Sequence, residues 1–465
     1  MKIFLFAFTF LFSFQINAQW SGAILDSLTH NNVRDVVNHQ CIDIDRSDIL
    51  HVVYSKENSV SGWNIFYKKR DVNAMWSSEE SVTSQTGFNP VISASNIPGE
   101  AYVAYEAYDT LDEEIYVCSN ARGIWNCFQL TSDTVNDTYP SIAVDSSGFI
   151  HLTWISEKSN GNFRIKYATN ISGSWVIQEL TGGQLGQFGS GASPEIAVDK
   201  SGLAHIAYRG NNGNGYRIQH AYNQSPGGTT WNYDFITTPN DEDLSLAIQV
   251  DRDTVVHLLV SGDDGFGLPQ RAYYQKKTFS ATAFSPSVEV APSYRGQVGD
   301  LFVDNNKIPH FVLNEVSGNM YTGNIIYADS NDWNGILLLN SGDIYNANLV
   351  MDEEDHAYLL AYRGNSFPDE EVVFYGSSSP VDIGAVEDKE TPYKIISTEN
   401  NLKIYFKENY SGRLSCTTID GRIVFDNRHN YQKGETISID NLTEGVYILF
   451  AENQEGKFVQ KVGLR

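Results

Sequence analysis

Short apolar runs, alternating with polar positions, recur along this chain about every 50 residues. Each run ends in an aspartate, passes through a tight polar turn and resumes at a His or Tyr that opens a second run. Asp45 leads to His51, Asp145 to His151, Asp199 to His205, Asp251 to His257, Asp304 to His310 and Asp352 to Tyr358. A weaker copy at Ser95 and Tyr102 fills the gap between the first two. Period-two alternation bounded by Gly, Ser, Asn and Asp predicts strands. The third unit reads as four of them, over 141–145, 151–155, 163–168 and 175–180. Units this small cannot bury their own faces, so neighbours must stack. Four strands in about 40–50 residues is the signature of a propeller blade. The expected fold class is all-β, a seven-bladed β-propeller followed by a small C-terminal β-sandwich domain.

The tryptophans indicate how the ring closes. Trp76, Trp125, Trp175, Trp231 and Trp333 each begin the last strand of a unit. The seventh unit stops after Phe374-Tyr375 without such a strand, whereas Trp20 stands unclaimed at the other end. Residues 20–27 are therefore expected to form the outer strand of the seventh blade.

The 465 residues accommodate a signal segment at 1–18, a propeller at 19–380, a linker at 381–393 and a small domain at 394–465. The first segment has Lys2, an apolar run and Ile16-Asn17-Ala18 before Gln19, the pattern of a secretory signal. No later stretch is apolar enough to span a bilayer. In an oxidising compartment Cys118 and Cys127, flanking one hairpin, can pair, while Cys41 and Cys416 are expected to stay as buried thiols. The net charge of −25 disfavours nucleic acid, which needs a positive surface. A monomer is expected. No cofactor is expected either, although acidic loops such as Asp263-Asp264-Gly265 could hold a structural calcium.

The C-terminal segment contains Leu402-Lys403-Ile404-Tyr405-Phe406, an Asp420-Gly421-Arg422 turn, Gly445-Val446-Tyr447-Ile448 and a closing basic strand from Gly456 to Gly463. This resembles the C-terminal sorting domain of the type IX secretion system of Bacteroidetes. The resemblance implies export by that machinery, then release or attachment at the cell surface.

Repeats supply their own control. A side chain found in every blade is structural, and one that departs from its repeat needs another reason. The third strand usually reads apolar–x–Tyr, as in Ile65-Phe66-Tyr67 and Ile165-Lys166-Tyr167. In the fourth unit it becomes Ile218-Gln219-His220, and in the fifth Pro269-Gln270-Arg271. A cation where a phenol packs elsewhere is costly without a partner. The junction of blades four and five is therefore the expected site. His205, His220 and Tyr208 are its candidate catalytic residues. Arg271, Arg209, Tyr216 and Tyr321 are the candidates for binding substrate. Arg suits a uronate carboxylate, and His and Tyr can move protons. These are the requirements of β-elimination at a uronic acid.

This layout resembles the seven-bladed propeller polysaccharide lyases, particularly ulvan lyases. The resemblance implies a His pair, here His205 and His220, an Arg on the next blade, here Arg271, and a Tyr chosen among Tyr208, Tyr216 and Tyr321. A sialidase would carry a Ser-x-Asp-x-Gly-x-Thr-Trp box, which the sequence lacks. A paired-carboxylate glycosidase needs two acids in one cleft. Asp241, Glu242, Asp243, Asp263 and Asp264 instead read as loop acids. The remaining alternative is a non-catalytic propeller that binds glycans or proteins at the cell surface.

Overall fold

The computed structural model describes residues 20–23, 35–36, 39–58, 62–109, 112–157, 163–180, 194–211, 216–263, 270–317, 320–364, 370–377, 393–398, 401–406, 409–418, 423–439, 442, 445–453 and 456–464. The signal segment 1–18, residues 24–27, residues 381–392 of the linker, Asp264-Gly265 and the Asp420-Gly421-Arg422 turn lie outside them. One compact unit spans Asn17–Gly384, and a second begins at Ala385.

Among the described residues, the larger unit holds seven antiparallel sheets, six of four strands and one of five. Their innermost strands are Ile42–Ile44, Phe88–Ala94, Asp137–Val144, Glu195–Val198, Glu242–Val250, Gly296–Val303 and Ile344–Met351. Each packs against the next, and the seventh packs against the first, so the sheets form a closed ring of blades. The seam closes as expected: Trp20–Ala23 pairs antiparallel with Glu370–Ser377, Trp20 opposite Ser377 and Ala23 opposite Phe374.

Alternation along each strand sends one set of apolar side chains toward each neighbouring blade. In the fourth blade Ile206, Tyr208 and Ala221 pack on Ile165 and Tyr167 of the third. From its other face Ala207 and Ile218 pack on Leu246, Ile248 and Leu258 of the fifth. Burying each larger side chain of this kind contributes about 1.5–3 kcal/mol.

The recurrent Asp–His pair is a clamp. Asp145 Oδ1 accepts the N–H groups of Ser147 at 2.8 Å and Phe149 at 2.9 Å, and Asp199 does the same for Ser201 and Leu203. The tightness of the turn forces a left-handed residue, Gly148 at φ 88° and Gly202 at φ 79°. Behind the turn the His accepts or donates at the hydroxyl of a third-strand Tyr: His51 with Tyr67 at 2.7 Å, His151 with Tyr167 at 2.6 Å, His257 with Tyr274 at 2.7 Å and His310 with Tyr327 at 2.5 Å. All four imidazoles are buried, so they act as packing and hydrogen-bonding groups.

This pattern corrects the alignment expected for the fifth blade. The Tyr always lies two residues before the one opposite the His: Thr169 faces His151, and Lys276 faces His257. Tyr274, not Arg271, therefore holds the repeated place. Ladder register fixes that place, and spacing along the chain does not. In the fourth blade Tyr222 faces His205, so His220 does replace the phenol.

Cys118 and Cys127 stand directly opposite on neighbouring strands and form a disulfide. Cys41 and Cys416 are buried and not disulfide-bonded. In the C-terminal unit, a sheet of Tyr393–Thr398, Asn401–Phe406 and Thr436–Ile439 accompanies a four-stranded one. Leu402, Ile404 and Phe406 share a core with Leu414, Cys416 and Tyr431 of the other sheet, which makes a β-sandwich.

Candidate functional site

The Asp-to-His turns join each innermost strand to the second, so they all lie at one end of the ring. The opposite end holds the start of each innermost strand, and there the central channel opens. A cavity of about 240 Å³ fills this mouth, lined among others by His39, Asn89, Tyr139, Glu195, Gln297, Tyr321 and Asn346.

Strained backbone aims several of these side chains. Asn89, Tyr139 and Asn346 have φ of 45°, 54° and 51°, and Gln40, next to His39, has φ 55°. Left-handed backbone in a residue with a Cβ carries a steric cost, and such strain clusters at functional sites. Each of the first three sits at a break in ladder register, between Phe88 and Val91, Thr138 and Ser141, or Tyr345 and Asn348. A β-bulge inserts an extra residue and re-aims its side chain. The bulges are pinned from behind. Glu106 accepts the Asn89 side-chain N–H at 3.0 Å and the main-chain N–H of Tyr139 at 2.5 Å. Asn348 donates to the Asn346 carbonyl at 2.8 Å.

Deeper in the channel, two carboxylates tie neighbouring blades together. Glu195 Oε2 accepts the Ile248 N–H at 3.2 Å. Asp300 accepts Leu301 N–H at 2.7 Å with one oxygen and Leu349 N–H at 2.8 Å with the other. Burial pushes Asp300 up to about 7 and Glu195 well above the carboxylate range, and Asp300 adds its own repulsion to Glu195. At pH 7 Glu195 is thus held toward its protonated form, and Asp300 is divided between its two forms.

His39 is the basic group of the mouth. Burial lowers its pKa to about 4, against the upward pull of an N–H donated to the Pro140 carbonyl. The ring is therefore neutral at pH 7. That bond fixes the tautomer, and Nε2, which has no hydrogen-bond partner, carries the lone pair. Tyr321 is 44% exposed at the rim, hydrogen-bonded to Gln297 and edge-on to Tyr345 at 6.3 Å. The ensemble offers one neutral base, two phenols and several carboxamides.

Of the seven residues expected at one junction, six are split between the two ends of the propeller and Tyr208 lies in the core. His205 and His220 are together, Nδ1 to Nε2 at 3.1 Å, at the end with the turns. Tyr208 lies on the opposite face of their sheet, in the core against the third blade, with its hydroxyl on Gln219 at 3.1 Å. Arg209 is four positions along the strand from His205, about 13 Å away, stacked over the Tyr216 ring at 3.9 Å. Arg271 pairs with Glu289 and is six positions from Lys277, about 20 Å; it is Lys277 that reaches the His220 neighbourhood. Arg209, Tyr216, Arg271 and Tyr321 all belong to the face that carries the mouth, because they end second strands or begin third ones.

Sequence reasoning missed His39, Asn89, Tyr139 and Asn346. A signal was present: each stands six residues before its blade's recurrent Asp or Ser, at Asp45, Ser95, Asp145 and Asp352. Two groups among the described residues bring three possible metal ligands together, Asp352 with Glu354 and His356, and Glu114 with Asp133 and Asp137. Neither includes Asp263. No helix among the described residues is long and apolar enough to cross a membrane.

No curated protein sequence matches the chain. Among solved structures it is similar to the polysaccharide lyase Uly1, at 11% identity and TM-score 0.48 over 73% of this chain and 89% of that one. A protein of unknown function from Dyadobacter fermentans gives 9% identity and TM-score 0.44, covering 74% and 98% of the two chains. An α-L-arabinanase of Penicillium chrysogenum complexed with arabinobiose gives 14% and 0.43, covering 62% and 92%. Residues 398–464 match the secretion system C-terminal sorting domain, so this chain carries the address for type IX secretion to the cell surface or the extracellular space.

Proposed function

We propose that this protein is a secreted polysaccharide lyase that cleaves a uronate-containing polysaccharide by β-elimination at the channel mouth. The observation that carries this reading is His39, a neutral imidazole with an unpartnered Nε2 set among carboxamides and phenols. His39 Nε2 takes the C5 proton of the uronate. Asn346 and Gln297 bind its carboxylate and stabilise the charge that develops as the C5–H bond breaks, while Asn89, whose amide N–H group is held by Glu106, turns its carbonyl oxygen to a substrate hydroxyl. The electron pair forms the C4=C5 double bond, the C4–O4 bond breaks, and a Tyr hydroxyl gives its proton to the departing O4. Tyr321 is the donor in this reading, because it stands at the rim of the cavity on Gln297; both phenols of the mouth are held above the ordinary value and keep their protons. Arg209 and Arg271, on the same face, suit neighbouring uronates of the chain.

Hydrolysis by paired carboxylates fits less well. Both oxygens of Asp300 are committed to main-chain N–H groups, so it cannot serve as nucleophile or water-activating base. The test is ultraviolet absorbance of the unsaturated uronate product, using the intact protein with ulvan first and then other uronate polysaccharides. A rising signal that His39→Ala abolishes supports the reading. Retained glycan binding with no product from any substrate would make this a binding propeller.

A further inference from the structure

The seam between the second and third blades gathers acids of its own. Glu114 lies at the start of the third strand of the second blade, Glu113–Ser119, and Asp137 begins the innermost strand of the third, Asp137–Val144. Asp133 stands in the loop that joins the two blades. One carboxylate oxygen from each of the three lies within 4.8 Å of the other two. Glu114 and Asp137 are buried, whereas Asp133 opens to solvent with 48% of its side chain.

Buried carboxylates are costly unless donors or cations meet them. Here the protein's own groups fall short. Glu114 Oε2 and both oxygens of Asp137 have no hydrogen-bond partner. Lys166 Nζ is 3.0 Å from Asp133 Oδ2 and 3.7 Å from Asp137 Oδ1, so three carboxylates share one ammonium. Burial pushes Glu114 up to about 7, against a hydrogen bond from Thr131, and Asp137, Asp133 and Asp109 add their repulsion. The acids are nevertheless held together. Asn136, beside Asp137, accepts the Glu113 N–H at 3.0 Å and donates to Glu157 at 3.0 Å. The loop is thereby fastened to both blades.

We infer that this cluster is a calcium site that fastens the second blade to the third. Three hard carboxylate oxygens with no His or Cys suit calcium or magnesium rather than zinc or copper. Oxygens about 2.3–2.6 Å from one calcium lie at most about 5 Å apart, a spread that the cluster satisfies. Magnesium asks for a tighter, near-octahedral set. The dication supplies what the unpartnered oxygens of Glu114 and Asp137 lack. The exposed side, past Asp133, admits the ion and the waters that complete its shell. The site does not depend on the activity proposed at the mouth.

The test uses the full chain, stripped of divalent ions on a chelating resin. Calcium is titrated by calorimetry. Terbium is titrated by its luminescence under tryptophan excitation, with Trp154, buried beside Asp137, as the antenna. Calcium should bind with a Kd of about 1 mM or tighter, raise the melting temperature by about 2–5 °C and displace terbium. Glu114→Gln and Asp133→Ala should each weaken calcium at least about tenfold. Asp133→Ala is a surface change, so it decides the matter if Glu114→Gln does not fold. Glu354→Gln, in the other acidic group, should leave binding intact. No calcium binding up to about 10 mM would overturn the site, as would binding that survives Asp133→Ala or vanishes in Glu354→Gln.

Discussion

Glu106 of the second blade accepts the main-chain N–H of Tyr139 from the third. The same carboxylate holds the side-chain amide of Asn89 at 3.0 Å with each oxygen. One buried acid thus fixes two left-handed residues of the mouth on adjacent blades. Glu106→Gln keeps one acceptor and turns the other into a donor facing the Asn89 amide. The variant should lose about 1–3 kcal/mol of stability. It should also lose catalytic efficiency toward the polysaccharide, with a rise in KM as the Asn89 amide drifts. Chemical denaturation and steady-state kinetics read the two effects. An unchanged KM would show that Asn89 and Tyr139 are not held by this carboxylate.

Under the proposed mechanism, His39 should set the acid limb of the pH profile. Its reactive form is neutral, and burial places its pKa at about 4. Activity should therefore not titrate with this group between pH 5 and 8 and should fall as the pH drops through about 4. His39→Ala should reduce kcat by about 10²–10⁴-fold, the usual contribution of a positioned general base. A limb near 6.5 in kcat/KM would point to an ordinary, solvated imidazole instead.

Much of this was legible in the chain. The Asp-to-His spacing marks the blades, and the unclaimed Trp20 anticipates the strand that pairs with Glu370–Ser377. The site was harder to read. His205 and His220 do meet, but Arg271 sits at the far end of its strand, because the fifth blade reaches its clamp Tyr at Tyr274. Apolar spacing alone does not fix ladder register across loops of unequal length. Asn89 and Tyr139 owe their direction to bulges, and a bulge leaves the hydrophobic pattern nearly unchanged.

Asp300 ties stability to pH with a definite sign. Its folded pKa is about 7, raised by burial from an ordinary 3.8. The unfolded chain gives up this proton first, so the contribution to folding is full below about 4 and declines as the pH rises toward 7. Asp300→Asn does not titrate, although its amide must turn a donor toward Leu301 or Leu349 N–H. The variant should be the less stable at pH 4, and the gap should narrow by pH 8. Thermal unfolding of both proteins across that range checks it; a gap that widens with pH would mean the carboxylate is charged throughout.

The Cys118–Cys127 disulfide closes a short hairpin, nine residues apart in sequence. Restricting so short a loop in the unfolded chain is worth about 2–3 kcal/mol. Reduction, or Cys118→Ala with Cys127→Ala, should lower the unfolding free energy by that amount, read as a lower denaturation midpoint at a nearly unchanged denaturant slope. The channel mouth contains neither cysteine, so activity at 25 °C should persist. Loss of activity without loss of stability would assign the bond to the second blade's share of the mouth.

The ring is closed by a strand borrowed from the other end of the propeller. Trp20–Ala23 covers Glu370–Ser377, which would otherwise present a row of unpaired main-chain groups. An uncovered edge is a template for pairing with another chain. A protein beginning at Asp35 keeps all seven innermost strands, so the ring can still assemble. It should nevertheless melt about 2–5 °C lower and associate with a concentration dependence that the full chain lacks. Light scattering during a thermal ramp separates the two effects. Supplying the missing strand in trans, as a peptide of residues 19–34, should suppress the association first, because the peptide caps the edge whether or not it restores the whole of the lost stability. If truncation changes neither melting nor association, the seventh blade is held by its contacts with the first and sixth, and the borrowed strand is dispensable.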